Sequence, residues 1–421
     1  MKDKIKLVFD LGSSKISCMA IKNQDFTEDH LKNFDFDYDV LSCVVEETRC
    51  LNRGVINNID ETAEIIQKIY KETRLNIGSQ AVSEIYVGIT GAHIEGFNST
   101  GVVSIKGQHV LKDDVNRVLD SARAIALPQD QDFLHILPQN YVIDHHEETE
   151  DPIGMMGVRL ESYVHIVKAM KSSVENTIQC FKKAGMPNIK LCYSGLGSSE
   201  YLLSSDEKKM GVALVDIGAG TTDIMVYHNN RLLNTIVLPV GGDNITQDLA
   251  IGLRTPHHHA EKIKKEYGFS LKGSYDDQDS VEIEEIGGHS KRLVSQSLVN
   301  NIIESRIEEI LQLVNAEILK NSDKNSLSSG LVITGGSSQL GGLRQLLDYY
   351  FEVPVKVIEE RKIDLIDDVS LNRNNYHTLL GLAQFTCQMN NKKIPKQYLK
   401  TKSMNVRTVG SRVKSWITEI F

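Results

Sequence analysis

The stretch Asp216-Ile217-Gly218-Ala219-Gly220-Thr221-Thr222-Asp223 joins two apolar runs, 210–216 and 222–228, that read as neighbouring strands, with a third at 232–238. An acid at the end of a buried strand, followed at once by a glycine-rich turn, lets the backbone come close to a phosphate. Successive N–H groups in such a turn form a concave anion site. The carboxylate beside them suits magnesium, which keeps much of its water shell and is held through it. One copy alone reads as an ordinary turn. The chain carries a second, Asp10-Leu11-Gly12-Ser13-Ser14-Lys15, 206 residues earlier and again directly after an apolar run. Each half therefore opens with strand, D-x-G turn, strand, strand, and two facing loops of this kind can grip a nucleotide tail from both sides.

Working outward, residues 5–22 and 39–48 read as three strands and 60–75 as a helix with Ile65, Ile66 and Ile69 on one face. A block at 83–165 reads as an inserted subdomain, with strands near 85–89, 133–143 and 163–169 and a helix near 113–125. Helix 174–184 and strand 189–193 return to the first unit. In the second half, helices fall near 243–253 and 256–267, and a polar, acidic stretch at 273–285 precedes a long helix at about 293–320. Strand 330–334 and helix 343–351 follow. Leu331-Val332-Ile333-Thr334-Gly335-Gly336-Ser337-Ser338 sets a glycine pair between a buried strand and a helix, a β-to-α turn that can also leave room for a purine and ribose.

The chain has 421 residues, enough for two to four folding units, with 41% hydrophobic and 24% charged residues, which excludes global disorder. A net charge of −9 disfavours a nucleic-acid-binding surface over the whole body. Charge is uneven: residues 390–421 hold eight bases and one acid, so this segment is +7 and the remainder −16. The six cysteines show no metal-ligand spacing and are too sparse for a disulfide framework, so they read as reduced thiols. With no signal peptide and no apolar window of about 20 residues, the expected location is cytoplasmic. His257-His258-His259 invites a metal, but adjacent positions at a helix start point in different directions, and the run reads as a polar helix N-terminus.

Five segments together resemble the actin/Hsp70/sugar-kinase superfamily: the two phosphate loops at 10–15 and 216–223, a first connector Gly195-Leu196-Gly197-Ser198-Ser199, an adenosine loop at 334–337, and a second connector Thr378-Leu379-Leu380-Gly381-Leu382-Ala383. Within that superfamily the chain resembles the FtsA family of bacterial cell-division proteins along nearly its whole length. Leu134-His135-Ile136-Leu137-Pro138-Gln139-Asn140-Tyr141-Val142-Ile143-Asp144 and Pro152-Ile153-Gly154-Met155-Met156-Gly157-Val158-Arg159-Leu160 carry much of the likeness. The resemblance implies an α/β, actin-like ATPase fold of two duplicated lobes, with the nucleotide between them and an inserted 1C subdomain. Its implied divisions are 1A at 1–82, 166–204 and 372–388; 1C at 83–165; 2A at 205–228 and 305–371; and 2B at 229–304. A basic linker at 389–407 and an amphipathic helix at 408–421 complete the chain.

Carried over by matching position, Asp10 and Asp216 organise Mg, and Gly12, Ser13, Ser14, Lys15, Gly218, Gly220, Thr221 and Thr222 cradle the phosphates of ATP. Gly335, Gly336 and Ser337 border the adenosine, with Gly241, Gly242 and Asp243 alongside. Ala260-Glu261-Lys262-Ile263-Lys264 resembles a helical segment of related bacterial actins whose acid and second base approach ribose and base, roles that pass to Glu261 and Lys264. No catalytic residue is assigned. Hydrolysing members place a Glu or Gln ahead of the small residues of the first connector; here Gly195 stands there, so the implied ATP turnover is slow or conditional.

The last segment reads as a membrane device. Val409, Val413, Trp416, Ile417, Ile420 and Phe421 recur at helical spacing, with Arg412 and Lys414 off that stripe. A helix of this size is about 20 Å long, too short for a hydrocarbon core of about 30 Å, so it is expected to lie in the interface and bind an anionic surface weakly. Many such anchors linked in a filament multiply avidity. The family resemblance also implies self-assembly on the cytoplasmic face of the cell membrane at the septum, contact with the C-terminal peptide of FtsZ on 2B, and contacts with other division proteins through 1C. Candidate peptide contacts are Arg292, Glu304 and Arg306. The competing readings are a PilM-like pilus scaffold and a small-molecule kinase of the same fold.

Overall fold

The computed structural model describes residues 5–23, 38–146, 148–271, 279–287, 290–321, 326–358, 362–366 and 369–391. The apolar stripe 409–421, expected to bind a membrane, and almost all of the basic linker therefore lie outside the described residues.

Lobe 1 opens with β1 (Ile5–Leu11), β2 (Lys15–Asn23) and β3 (Tyr38–Glu47), a short ribbon of β4 (Leu51–Asn52) and β5 (Val55–Ile56), and α1 (Ile59–Ile77). Along β1 the side chains alternate between two cores. Ile5, Leu7, Phe9 and Leu11 face α1, and Val8 faces the opposite layer, which is the pattern of a strand covered on both sides. Helix α1 begins where the Asn58 side chain accepts from the N–H groups of Asp60 and Glu61, and it buries Ala63, Ile66, Ile69 and Ile77. β6 (Val82–Ile89) then returns parallel to β1, with Asp10 opposite Gly88.

The insert follows: β7 (Ile94–Ser104), α2 (Lys112–Arg123), β8 (Gln131–Ile143), β9 (Glu148–Thr149) and β10 (Arg159–Met170). It has its own core, in which Val115, Val118 and Leu119 of α2 pack on Ile136, Leu160 and Ile166. The chain re-enters lobe 1 through α3 (Lys171–Lys183) and β11 (Lys190–Tyr193), which is parallel to β6. The boundary at 83 consequently moves: the backbone of β6 is hydrogen-bonded between β1 and β11, so it is a central strand of lobe 1, and the insert begins after it.

After the connector helix α4 (Ser194–Leu202), lobe 2 comprises α5 (Ser205–Met210), β12 (Val212–Ile217), β13 (Thr222–His228), β14 (Arg231–Leu238), α6 (Gly242–Gly252), α7 (His257–Tyr267), β15 (Ser280–Glu284), β16 (Lys291–Ser295), α8 (Gln296–Asn321), β17 (Gly330–Thr334), α9 (Leu343–Tyr350), β18 (Val355–Val357), β19 (Lys362–Ile366) and β20 (Val369–Asn372). The final helix, α10 (Arg373–Asn391), packs Leu379, Leu380, Leu382 and Ala383 back on the outer face of lobe 1. Strand order is β11-β6-β1-β2-β3 in one sheet and β18-β17-β12-β13-β14 in the other, the same order built twice. In both, the first strand after each start is antiparallel to its successor and parallel to a later one.

Two elements differ from the sequence expectation. β15 and β16 pair as a hairpin with Val281 and Ile283 buried on one side, so α8 starts at Gln296. β7, with glycine at 96 and 101 and an Asn-Ser-Thr centre, lacks an apolar alternation, and it becomes a strand because β10 pairs with it over eleven residues. At its start β7 also meets β14, with Glu95 opposite Ile236, so the sheets of lobe 2 and the insert run on as nine strands.

Candidate nucleotide-binding site

Both D-x-G turns close the same way. Gly12 N–H donates to Lys15 O at 3.0 Å and Gly218 N–H to Thr221 O at 2.9 Å, each at the tip of an antiparallel strand pair. The tips face each other across the lobes. A Cβ added to Gly220 would lie 2.4 Å from Ser13 Oγ, so loop two can approach loop one only as glycine. Ser13 Oγ in turn accepts from Gly54 N–H at 3.2 Å.

The first connector is α4, and two of its serines, one helical turn apart, bind one carboxylate in each lobe. Ser194 Oγ donates to Asp10 at 3.0 Å and Ser198 Oγ to Asp216 at 3.1 Å. The second connector, within α10, also reaches Asp216: His377 Nε2 lies 3.0 Å and Thr378 Oγ1 3.4 Å from the same Oδ2. Thr378 and Ser198 are 3.0 Å apart, so the connectors are bonded to one another over that carboxylate.

The three acids of the site differ in electrostatics. Burial pushes the Asp10 carboxyl up to about 6, although Ser194 and Lys15 favour its ionised form. Asp216 is equally enclosed, but the charge and hydrogen bonds of His377, with Ser198 and Thr378, outweigh burial and hold it below the usual range. Asp223, opposite Asp216 on β13, is pushed up to about 7 by burial and by the Asp216 charge. Its donors are Thr90 Oγ1 at 2.5 Å, Tyr193 OH at 2.8 Å and Thr221 Oγ1 at 3.2 Å. The Lys15 ammonium, its pKa lowered by burial, stands 4.3 Å from the centre of the Tyr376 ring.

On the side expected to border an adenosine, Gly335 has φ 94°, and a Cβ there would lie 2.4 Å from Ile217 O, so the turn after β17 requires glycine. Ser337 Oγ donates to Gly218 O at 3.4 Å, and the N–H groups of Gly242 and Asp243 donate to Gly218 O and Ala219 O. Burial raises the Asp243 carboxyl, with Lys264 opposing. Lys264 Nζ donates to Gly242 O at 3.0 Å and Thr246 Oγ1 at 2.8 Å and is paired with Glu261 at 2.7 Å. Glu261 and Lys264 thus stand against the loop of Gly241, Gly242 and Asp243. A Cβ on Gly336 would meet nothing within 4 Å.

The site residues read from the sequence come together here, from Asp10–Lys15 on one side to Glu261, Lys264 and Gly335–Ser337 on the other. Sequence reading missed Thr90, Tyr193, Ser194, Thr246 and His377. The serines of α4 carried a usable signal, their i,i+4 spacing in the connector; Thr90 and Tyr193 carried none. Gly195 cannot bear a side chain, since a Cβ there would lie 2.6 Å from the Tyr193 ring. Glu200 points away and pairs with Lys208 at 3.0 Å. Among the described residues there is no group of three or more His, Cys, Asp or Glu side chains placed to hold a metal.

The three candidate peptide contacts fare differently. Glu304 is 5% exposed, which corrects its expected place at the helix edge: α8 turns it inward with Asn300, Ile303 and Ile307. Arg306 is held by Asp248 at 2.6 and 3.1 Å and by Glu309. Arg292 donates to Leu253 O at 2.7 Å and remains half-exposed beside Glu285.

Comparison with known proteins gives a consistent result. The family model described as "Cell division protein FtsA" matches residues 213–381, and "SHS2 domain inserted in FTSA" matches 91–168, starting after β6. Curated relatives called "Cell division protein FtsA" include that of Pseudomonas aeruginosa, 34% identical over 91% of this chain and 90% of the relative. That of Bacillus subtilis is 34% identical over 80% and 76%, and that of Escherichia coli 29% over 99% and 96%. Among solved structures, a PilM–PilN type IV pilus biogenesis complex is similar with a TM-score of 0.59 at 15% identity, covering 90% of this chain and 97% of the other. MreB5 of Spiroplasma citri bound to ADP is similar with a TM-score of 0.56 at 12% identity, covering 93% and 99%. At these identities the two structures establish the actin-like fold alone.

Proposed function

The chain belongs to the FtsA family of cell-division proteins, and on that premise we propose that it binds ATP with magnesium between its lobes and uses the bound state to favour self-assembly on the membrane. The observation that supports this reading best is the approach of the two phosphate loops, with Gly220 against Ser13 and one connector serine on each flanking carboxylate. The residues fit the ligand. Gly12, Ser13 and Ser14 with Gly218, Gly220, Thr221 and Thr222 offer backbone and hydroxyl donors to the phosphates, and Lys15 supplies positive charge near Asp10. Asp10 and Asp216 would hold the water shell of magnesium, which neutralises phosphate charge when bound. Gly335, Gly336, Ser337, Glu261 and Lys264 would border the nucleoside. With Gly195 unable to carry a water-orienting side chain, turnover is slow and the nucleotide acts chiefly as a conformational ligand.

In the same proposal, subdomain 1A comprises β1–β6 with α3, β11 and α10, the insert is 1C, and the outer part of lobe 2 around β15, β16 and the start of α8 is 2B. The C-terminal peptide of FtsZ docks on 2B near Arg292 and Arg306, and other division proteins dock on 1C. The segment 408–421 lies in the cytoplasmic leaflet and tethers FtsZ filaments there. Lipid co-sedimentation of the full chain and a chain ending at residue 407, with and without MgATP, tests the tether: only the full chain should pellet with anionic vesicles, and more so with MgATP. Equal pelleting of both chains would remove the tether from the proposal. Calorimetry with MgATP tests the nucleotide site independently of lipid. A PilM-like scaffold gains nothing from the 15% likeness, which is one of fold.

A further inference from the structure

Asp223 lies in lobe 2, but two of its three hydroxyl donors come from lobe 1. Thr90 stands where the chain leaves β6 for the insert, and Tyr193 is the last residue of β11, directly before the first connector. Tyr193 is also held from the insert, for its backbone N–H donates to Nε2 of His135 on β8 at 2.9 Å. That ring is 1% exposed, stands edge-on to Phe385 of α10 at 6.4 Å between centroids, and accepts through Nε2, which leaves the proton on Nδ1. The Tyr193 phenol passes through the space where a side chain at 195 would stand: a Cβ on Gly195 would be 2.7 Å from its hydroxyl.

We propose that Tyr193 is a positioning residue that fixes Asp223 behind phosphate loop two and, through His135, ties the occupancy of that loop to β8 of the insert. The inference rests on the nucleotide reading and deepens it. Asp223 follows Thr222 on β13, so a ligand that draws in 218–222 displaces the carboxylate unless its donors hold it. Those donors are hydroxyls, buried on Tyr193 and Thr221 and half-buried on Thr90, and one belongs to a residue whose backbone is bonded to the insert. The result is an unbroken chain of hydrogen bonds and covalent links from loop two to Tyr193 to β8. Coupling of this kind is reciprocal, so whatever orders β8 tightens nucleotide binding by the same factor.

The test measures MgATP affinity by calorimetry and amide exchange across 131–143 on the full chain, using wild type, Tyr193→Phe, Asp223→Asn, the double variant and Thr90→Val. Tyr193→Phe keeps the ring that fills the core and removes only the donor. In wild type, MgATP should raise protection in 131–143. In Tyr193→Phe, affinity should fall about fivefold or more and that gain of protection should vanish. The double variant should bind no worse than the weaker single, because both lesions break one contact. Thr90→Val, on the other donor, should weaken binding while leaving the 131–143 response in place, which separates the tyrosine's role from a general loosening. If Tyr193→Phe binds like wild type and keeps the response, or if the two lesions multiply, the proposal is overturned. If wild type takes up no MgATP, the nucleotide reading itself has failed and the proposal with it.

Discussion

Replacing Asp223 by Asn isolates one buried carboxylate whose protonation the fold controls. Its pKa is pushed up to about 7, against 3.8 for an ordinary aspartate, by burial and by the Asp216 charge. At 6% exposure, solvent screening does little to dilute the effect. A carboxyl with a raised folded-state pKa contributes stability that is fully present below 3.8 and is lost as pH rises through 7, because across that window the folded chain holds a proton that the unfolded chain has released. Between pH 5 and pH 8 the unfolded form is ionised throughout, while the folded form gives up nearly a whole proton, so wild type should lose roughly 2.6 kcal/mol relative to Asp223→Asn. For 421 residues, at about 2.1 cal/mol/K per residue, this corresponds to a relative shift of about 3 °C in melting temperature.

The assay is thermal unfolding of both proteins, without nucleotide, at the two pH values. Taking the difference between the two proteins cancels the half-buried His93 and the buried His135 and His165. Their pKa values, lowered by burial to about 4, 4 and 3, make the fold lose stability as pH falls below about 6.5, the opposite sense. The constant offset from exchanging an acid for an amide is irrelevant; only its change with pH matters. A gap that does not move between pH 5 and 8, or that moves in favour of wild type at pH 8, would mean that Asp223 is already ionised in the folded protein, and the reading of it as a carboxyl kept protonated by burial and the Asp216 charge would be wrong.

Gly220→Ala puts a methyl 2.4 Å from Ser13 Oγ and 3.0 Å from the Arg53 nitrogen, so the loops must part; MgATP affinity measured by calorimetry should fall at least tenfold, about 1.4 kcal/mol, and unchanged affinity would show that the loops do not close on the ligand. Ile310→Ala empties a fully buried position on α8 and should cost about 2–5 kcal/mol in urea unfolding, with little effect on nucleotide affinity per folded molecule. The partly exposed pair of Arg306 with Asp248 should yield a coupling of about 1 kcal/mol or less in a double-mutant cycle, weakening with salt; a coupling of several kcal/mol would mark it as a structural clamp and count against Arg306 as a free contact for a partner peptide.

What the sequence made legible was the repeated part. The two acid–glycine turns, the strands that lead into them and the glycine pair after β17 are local patterns, and the same strand order in both lobes follows from them. The parts that escaped are set by distant pairing. β7 has no apolar alternation and is a strand only because β10 lies beside it; β6 reads as the start of the insert until its parallel register with β1 is seen. Thr90 and Tyr193 are 133 and 30 residues from the acid they hold, and no spacing rule relates them. Glu304 looked like a surface charge because helix periodicity alone does not say which face a 26-residue helix buries; here that face carries Ile303, Ile307 and Ile310.

The duplication also explains why the two magnesium candidates need not act alike. Asp10 and Asp216 occupy equivalent places at the ends of β1 and β12, yet they have unequal neighbours. Both connectors converge on Asp216 through Ser198, His377 and Thr378, whereas among the described residues Ser194 is the side-chain donor to Asp10. Asp216 is therefore kept ionised by the protein itself, whereas Asp10, held up to about 6, has its charge opposed by burial until a cation arrives. A cation held between them, as proposed, would find one anion already formed and favour the ionisation of the other, so below about pH 6 its binding would release a proton. Ser198 and Thr378, both on Asp216, also join the two connectors to each other. Lobe 1, with Asp10, would be the side whose electrostatics respond to a bound cation, and the insert is attached to it through β6 and α3.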